Sequence, residues 1–313
     1  MSASAPVPPP ELATRVGRGP GDPLEGYDAV GRFVRTMLES MLPDDWSWEG
    51  KRVLDFGCGS GRVLRHFLDE AQEAEFWGCD LHGPSIEWVK ENLSPPLHVF
   101  QNGVDPPLPL EDGHFDLVWA TSVFTHITEN WADWLLELHR VLAPGGLLIS
   151  TYLGDQKWQA RFNEPYDEDR VGMVMLRHSP EAGDGLVFHS EWWLREHWGR
   201  AFEILEVDRP RAGSDGVAPI RHTYLLARKL PVSVTADQLE RANPEESREL
   251  ESLHNNVRIL LREPSSGPSN PRLQREFYRV THSWSWRLTA PLRALNRWAR
   301  WLRAKLSRAR SGP

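Results

Sequence analysis

Val53-Leu54-Asp55-Phe56-Gly57-Cys58-Gly59-Ser60-Gly61-Arg62 places three glycines two residues apart, straight after an apolar run. Arg52 to Phe56 reads as a buried strand, and Arg62 to Glu70 as the helix that follows. Glycines at such a junction let the backbone turn tightly and let a ligand approach with no Cβ in the way. Asp80 stands 19 residues past Gly61, at the end of the next apolar run. A carboxylate at the C-terminal end of a strand is placed to accept both hydroxyls of a ribose. A purely structural turn would also use these glycines, and a pyrophosphate cradle is a third reading. The spacing is G-x-G-x-G rather than G-x-G-x-x-G, and Asp55 brings a negative charge that suits an ammonium or sulfonium ligand better than a phosphate.

Working outward, the pattern alternates. Before the glycines, Val30, Phe33, Val34, Met37, Leu38 and Met41 recur at three and four, which predicts a helix over 27–42 stopped by Pro43. After them come a strand over 75–80, a helix over 85–93 with Ser85 as N-cap, and strands over 97–100, 115–120 and 146–151. A helix around 131–142, ended by Pro144 and Gly145, joins the last two strands. Such alternation predicts a doubly wound α/β fold, a mostly parallel sheet covered on both faces. Past Tyr152 the rhythm breaks into a mixed insertion, 154–190, with short strands at 173–177 and 186–189. A helix over 190–202 and an antiparallel edge pair over 203–208 and 222–227 complete the domain. The reading is therefore an unstructured lead-in over 1–25, a ligand-binding domain over 26–230 with an inserted cap, a polar helix and linker over 231–280, and a basic amphipathic helix over 281–313.

At these residues the chain resembles the class I S-adenosylmethionine-dependent methyltransferases, over about 26–229. VLDFGCGSGR looks like that family's first motif, Asp80 like its ribose-binding acid, and FDLVWATSVFTHI with RVLAPGG like its fourth strand and the turn before its fifth. The resemblance implies a Rossmann-like fold and S-adenosyl-L-methionine as cofactor. It implies that Asp55, Gly57, Cys58, Gly59 and Gly61 hold the methionine end, Asp80 the ribose, and that Leu81 flanks the adenine. Asn102, or alternatively Gln101, would contact the adenine amino group, and Ala120 and Thr121 would line the methionine pocket.

The acceptor is less legible. Thr121-Ser122-Val123-Phe124 stands where the family's base-amine branch carries Asn or Asp, Pro, Pro, Tyr, which disfavours nucleic-acid amines. Transfer to a hydroxyl calls for a group to take the proton, and His126 lies just past the fourth strand. Packing is the plain alternative for His126. His189 and Glu191 are second candidates for the catalytic base, with helix capping as theirs. Trp158, Phe162, Tyr166, His178, Trp192 and Trp193 in and beside the insertion suit either a lid that stacks on sugar rings or a small core.

The chain has 313 residues and a net charge of −8. Residues 281–313 hold eight Lys or Arg and no acid, so the body before them carries −16. Plotted at the helical period, Leu292, Leu295, Trp298, Leu302 and Leu306 face one side and Arg293, Arg297, Arg300, Arg303 and Arg308 the other. This is the pattern of a helix lying on an anionic membrane, or docked on an acidic protein surface. SWRLTAPLRAL, residues 285–295, is similar to segments of bacterial enzymes that build surface polysaccharides. The combined expectation is O-methylation of a sugar of a surface polysaccharide or lipid-linked glycan, with residues 285–310 meeting a membrane or a glycosyltransferase partner. A small-molecule or quinone O-methyltransferase and a non-catalytic scaffold for glycosyltransferases are the alternatives. An acidic body speaks against nucleic acid as partner. No apolar run is long enough to span a bilayer and two cysteines give no disulfide framework or metal site, which points to the cytoplasm, at the inner membrane face if the tail binds there.

Overall fold

The computed structural model describes residues 5–15, 23–177, 185–209 and 222–260. Seven strands form one sheet: β1 (Arg52–Phe56), β2 (Glu75–Asp80), β3 (His98–Gln101), β4 (Phe115–Ala120), β5 (Leu142–Tyr152), β8 (Phe202–Asp208) and β9 (Thr223–Lys229). Their order is β3-β2-β1-β4-β5-β9-β8, with β1 to β5 parallel and β9 antiparallel to both its neighbours. The order reverses between β1 and β4. The chain leaving β1 and the chain leaving β4 therefore run to opposite sides, and a crevice opens at their C-terminal ends.

Helices cover both faces. α1 (Pro10–Arg15), α2 (Pro23–Met41) and α3 (Gly83–Leu93) precede α4 (Trp131–Val141), α5 (Asp155–Phe162) and α6 (Glu191–His197). On α2 the residues Val30, Val34, Leu38 and Met41 are buried against Val53, Phe67, Phe76 and Trp119, as their spacing predicts. Burial of each such side chain contributes about 1.5–3 kcal/mol, which fixes the helix to this face. Leu135, Leu138 and Val141 of α4 pack under the other face with Leu54, Val118 and Leu148. The cap has a core of its own. β6 (Met173–Arg177) and β7 (Gly185–His189) form a separate antiparallel pair, and Trp158 and Phe162 of α5 close over Phe188 of β7.

Several expectations need correction. Residues 62–70 form no α-helix; a 3-10 turn spans Leu64–His66 and another Glu70–Gln72. Arg35 of α2 donates to the carbonyl of His66, an acceptor that a continuing helix would use for itself. Ser85 is not the N-cap of α3. The helix begins at Gly83 after His82, whose ring pairs with Ser85 Oγ at 2.8 Å, because Pro84 needs no amide partner in the first turn. Pro144 and Gly145 do not end α4. The helix stops at Val141, and Leu142, fully buried, already pairs with Phe115 as the first residue of β5. Within the expected lead-in, residues 10–15 are helical, with Ala13 buried and the carbonyls of Ala5 and Pro6 accepting from Arg65.

Past β9, α7 (Ala236–Glu240) carries a capping box between Thr235 and Gln238, and α8 (Ser247–Leu260) lies on the cap. Asn256 donates to the carbonyl of Met173 at 2.8 Å and Arg258 pairs with Glu164. The tail over 281–313, the calls on 285–310 and His178 lie outside the described residues.

Candidate active site

All three glycines of the loop take left-handed backbone: φ is +82° at Gly57, +55° at Gly59 and +77° at Gly61. A side chain at any of them would be strained. The loop is tied to β2 from below. Gly57 and Cys58 donate to the carbonyl of Cys79 at 2.8 and 2.9 Å, and Gly59 donates to Asp80 Oδ2 at 2.8 Å. The amide of His82 donates to the other oxygen, Oδ1, at 2.8 Å. Asp80 is thereby locked beside the loop, half-buried, with each oxygen retaining a lone pair for a further donor. Tyr27 of α2 donates to the carbonyl of Ser60 at 2.9 Å and closes the loop from the side.

Asp55 is 1% exposed and neither of its oxygens has a hydrogen-bond partner. Burial pushes its carboxyl up to about 7; the Asp80 charge adds to this, while the Trp119 indole and Arg62 oppose it. The Trp119 Nε1 and Tyr224 hydroxyl are also buried without partners on this face of the sheet. A buried, unsatisfied carboxylate below a glycine loop fits a ligand that brings a cation. Cys58 and Cys79 are buried, and burial raises both thiols above their ordinary range.

At the next strand end, Gln101 is exposed and its amide donates to the carbonyl of Leu81 at 2.9 Å. Asn102 donates through Nδ2 to Gly103 at 2.8 Å, leaving Oδ1 buried without a partner. The two candidates thus differ in burial: the unused acceptor of Asn102 is buried, whereas Gln101 is exposed. Ala120 is buried at the end of β4, and Thr121 follows it half-buried.

The three proposed bases are scattered. His126 is half-buried, and its Nδ1 lies 2.7 Å from the carbonyl of Gly185, an acceptor, so Nδ1 carries a proton and in the neutral ring Nε2 is the basic nitrogen. His189 is 1% exposed, its ring beside Trp193 with Nδ1 unpartnered, and burial lowers its pKa to about 3, His197 adding to the effect. Glu191 opens α6 and pairs with Arg195 at 2.9 Å and Arg209 at 3.4 Å, while Ser190 caps the helix by accepting from Trp193. The structure brings His126 to the crevice beside β4 and leaves the other two in the packing of α6.

Three neighbours carried no prominent signal in the sequence. Ser122 has φ +61°, rare for a non-glycine. Its amide donates to Thr151 Oγ1 at 2.8 Å and its hydroxyl pairs with His222 Nδ1 at 3.1 Å. Ser122 lies within the quoted fourth-strand motif, two residues past the end of β4, and is within reach of sequence reading. His222 lies a hundred residues away, and no local pattern marks it.

Residues 54–150 match the family model described as a methyltransferase domain. The chain carries an S-adenosylmethionine-dependent methyltransferase domain. The chain is similar to a malonyl-[acyl-carrier protein] O-methyltransferase of Pseudescherichia vulneris, with 26% identity over 71% of this chain and 84% of that protein. It is also similar to a fatty-acid O-methyltransferase of Mycolicibacterium smegmatis, with 30% identity over 42% of this chain. The chain spans 47% of that relative, and about half of two further relatives. Among solved structures, an S-adenosylmethionine-dependent methyltransferase of Listeria monocytogenes superposes with a TM-score of 0.49 at 19% identity, over 64% of this chain and 99% of that one. The methyltransferase domain's cofactor, S-adenosylmethionine, carries an ammonium and a sulfonium, which meets the fit that Asp55 and the glycine loop present. Among the described residues no helix is long and apolar enough to cross a membrane.

Proposed function

We propose that the domain methylates oxygen, and that its acceptor is a sugar hydroxyl of a surface polysaccharide or its lipid-linked precursor. The observation that carries this reading is His126: with Nδ1 donating to Gly185, its Nε2 is a free base beside the loop that leaves β4. The cofactor supplies an electrophilic methyl group on sulfur. On this reading Asp80 binds the ribose hydroxyls, Asn102 Oδ1 accepts from the adenine amino group, and Asp55 balances the methionine ammonium. His126 Nε2 would take the proton of the acceptor hydroxyl as that oxygen receives the methyl group the cofactor supplies when bound. Ser122, Thr151 and His222 line this part of the crevice with polar groups.

The aromatic insertion gives this reading no support as a stacking lid. Trp158 is 1% exposed and packs on Phe162 at 4.3 Å and Phe188 at 5.4 Å, so these rings form the core of the cap. A second reading, a small-molecule, quinone or acyl O-methyltransferase, draws on relatives named for malonyl-[acyl-carrier protein], tocopherol and fatty acid. A carboxylate acceptor needs no base, which separates an acyl acceptor from the hydroxyl acceptors, sugar and quinol alike; among the latter the acceptor panel decides. His126→Gln should lower turnover on a hydroxyl acceptor by about 10²- to 10⁴-fold and leave cofactor affinity intact. The measurement is S-adenosylhomocysteine release over a panel of methyl glycosides, quinols and fatty acids. Turnover confined to fatty acids, untouched by His126→Gln, would establish the second reading.

A further inference from the structure

Two histidines meet at the crevice from distant parts of the chain. His126 follows β4, and His222 immediately precedes β9, in line with Thr223, which pairs with Tyr152. Ser122 links them: it lies four residues before His126, and its hydroxyl stands 3.1 Å from His222 Nδ1. Its left-handed backbone, held by the amide bond to Thr151, aims that hydroxyl at His222 rather than along the strand. The Ser122 hydroxyl has no other described partner. If the hydroxyl donates to Nδ1, the His222 proton sits on Nε2. His126 is the reverse, with its proton on Nδ1 against Gly185. Among the described residues neither Nε2 has a hydrogen-bond partner.

His222 is held neutral. Burial lowers its pKa to about 3, and the charges of Lys157 on α5 and Arg62 add to this, as does His126 whenever it is protonated. A neutral ring with Nε2–H is a donor, and a neutral ring with bare Nε2 is an acceptor.

Resting on the reading of the domain as an O-methyltransferase, we propose that the two rings read a vicinal diol: His126 Nε2 accepts from the hydroxyl to be methylated, and His222 Nε2–H donates to the oxygen next to it. His222 is then an acceptor-binding residue that sets which hydroxyl meets the base, and Ser122 a positioning residue that fixes the ring's tautomer.

The test has two arms on the full chain. With ¹⁵N-labelled histidine and saturating S-adenosylhomocysteine at pH 6, long-range ¹H–¹⁵N spectra should show His126 as the Nδ1–H form and His222 as neutral Nε2–H. Ser122→Ala should turn His222 into a mixture of tautomers. A His222 that is Nδ1–H, or protonated at pH 6, overturns the proposal whatever the acceptor. In the second arm, turnover is measured with methyl hexopyranosides and their monodeoxy derivatives. Loss of the hydroxyl next to the methylated one should raise KM by about 10- to 100-fold in the parent and in His222→Gln, whose amide keeps a donor at that reach, but within about threefold in His222→Phe. An equal penalty in all three overturns the role of His222. Turnover of no hexoside overturns the sugar reading above, while the spectra still decide the tautomers.

Discussion

Val123 lies directly over the α-carbon of Gly57: a Cβ at residue 57 would overlap Val123 Cγ2. The loop after β4 thus presses on the loop after β1, and the two halves of the crevice are in contact where the order of strands reverses.

Gly57→Ala should therefore suffer twice, from left-handed backbone, about 1–2 kcal/mol, and from overpacking, about 1–3 kcal/mol. Thermal unfolding should show a clear drop in midpoint, and S-adenosylhomocysteine titration a loss of affinity. Adding Val123→Ala should restore part of the stability, because it removes the overlap and leaves the backbone cost. No recovery in the double variant would mean that the contact is unimportant.

Asp80 holds the loop as well as being proposed to hold the ribose, through its bonds from Gly59 and His82. Asp80→Ala should weaken S-adenosylmethionine binding by about 10- to 100-fold, since charge-assisted bonds worth roughly 1.5–3 kcal/mol are lost. Calorimetric titration measures this, and an unchanged affinity would remove Asp80 from the cofactor site.

Asp55 supplies a pH signature. Its folded pKa, about 7, lies above the ordinary carboxylate value, so the folded state binds the extra proton. The stability associated with that proton is fully present below about pH 4 and is lost as pH rises through about 7. The parent chain without cofactor should therefore lose thermal stability relative to Asp55→Asn between pH 5 and 8. Bound cofactor should reduce the loss, because a cation beside Asp55 favours the ionised form. Parallel pH curves for parent and variant would contradict this account.

Full-length protein should sediment with phosphatidylglycerol vesicles, less so as salt rises, since each basic side chain at such a surface contributes about 1 kcal/mol. A chain ending at Pro264 should stay in the supernatant and still bind S-adenosylhomocysteine. A cut at Leu230 would be a poor control, because it removes α8, whose Arg258 and Asn256 hold the cap through Glu164 and Met173. Equal sedimentation of the two chains would exclude the tail as a membrane element.

What the sequence determined by itself is what repeats locally. Alternating strand and helix patterns, the apolar stripe of α2 and the glycine spacing specify the parallel sheet and the loop, because each depends on residues within one turn or one strand of each other. The place of Asp80 at the end of β2 follows from the same periodicity. Tertiary contacts decided the rest. Arg35 takes the His66 carbonyl and replaces the helix expected over 62–70 with a 3-10 turn, a competition between elements that no window of sequence contains. The aromatics of the cap suit a core more often than a lid, and the closing of Trp158 on Phe162 and Phe188 makes them a core. Among the three candidate bases, partners from elsewhere decide: Gly185 frees Nε2 of His126, while Trp193 and the surrounding core bury His189. A histidine's proton is assigned by whichever carbonyl or hydroxyl lies across from it, and in this fold those groups come from other strands, up to a hundred residues away.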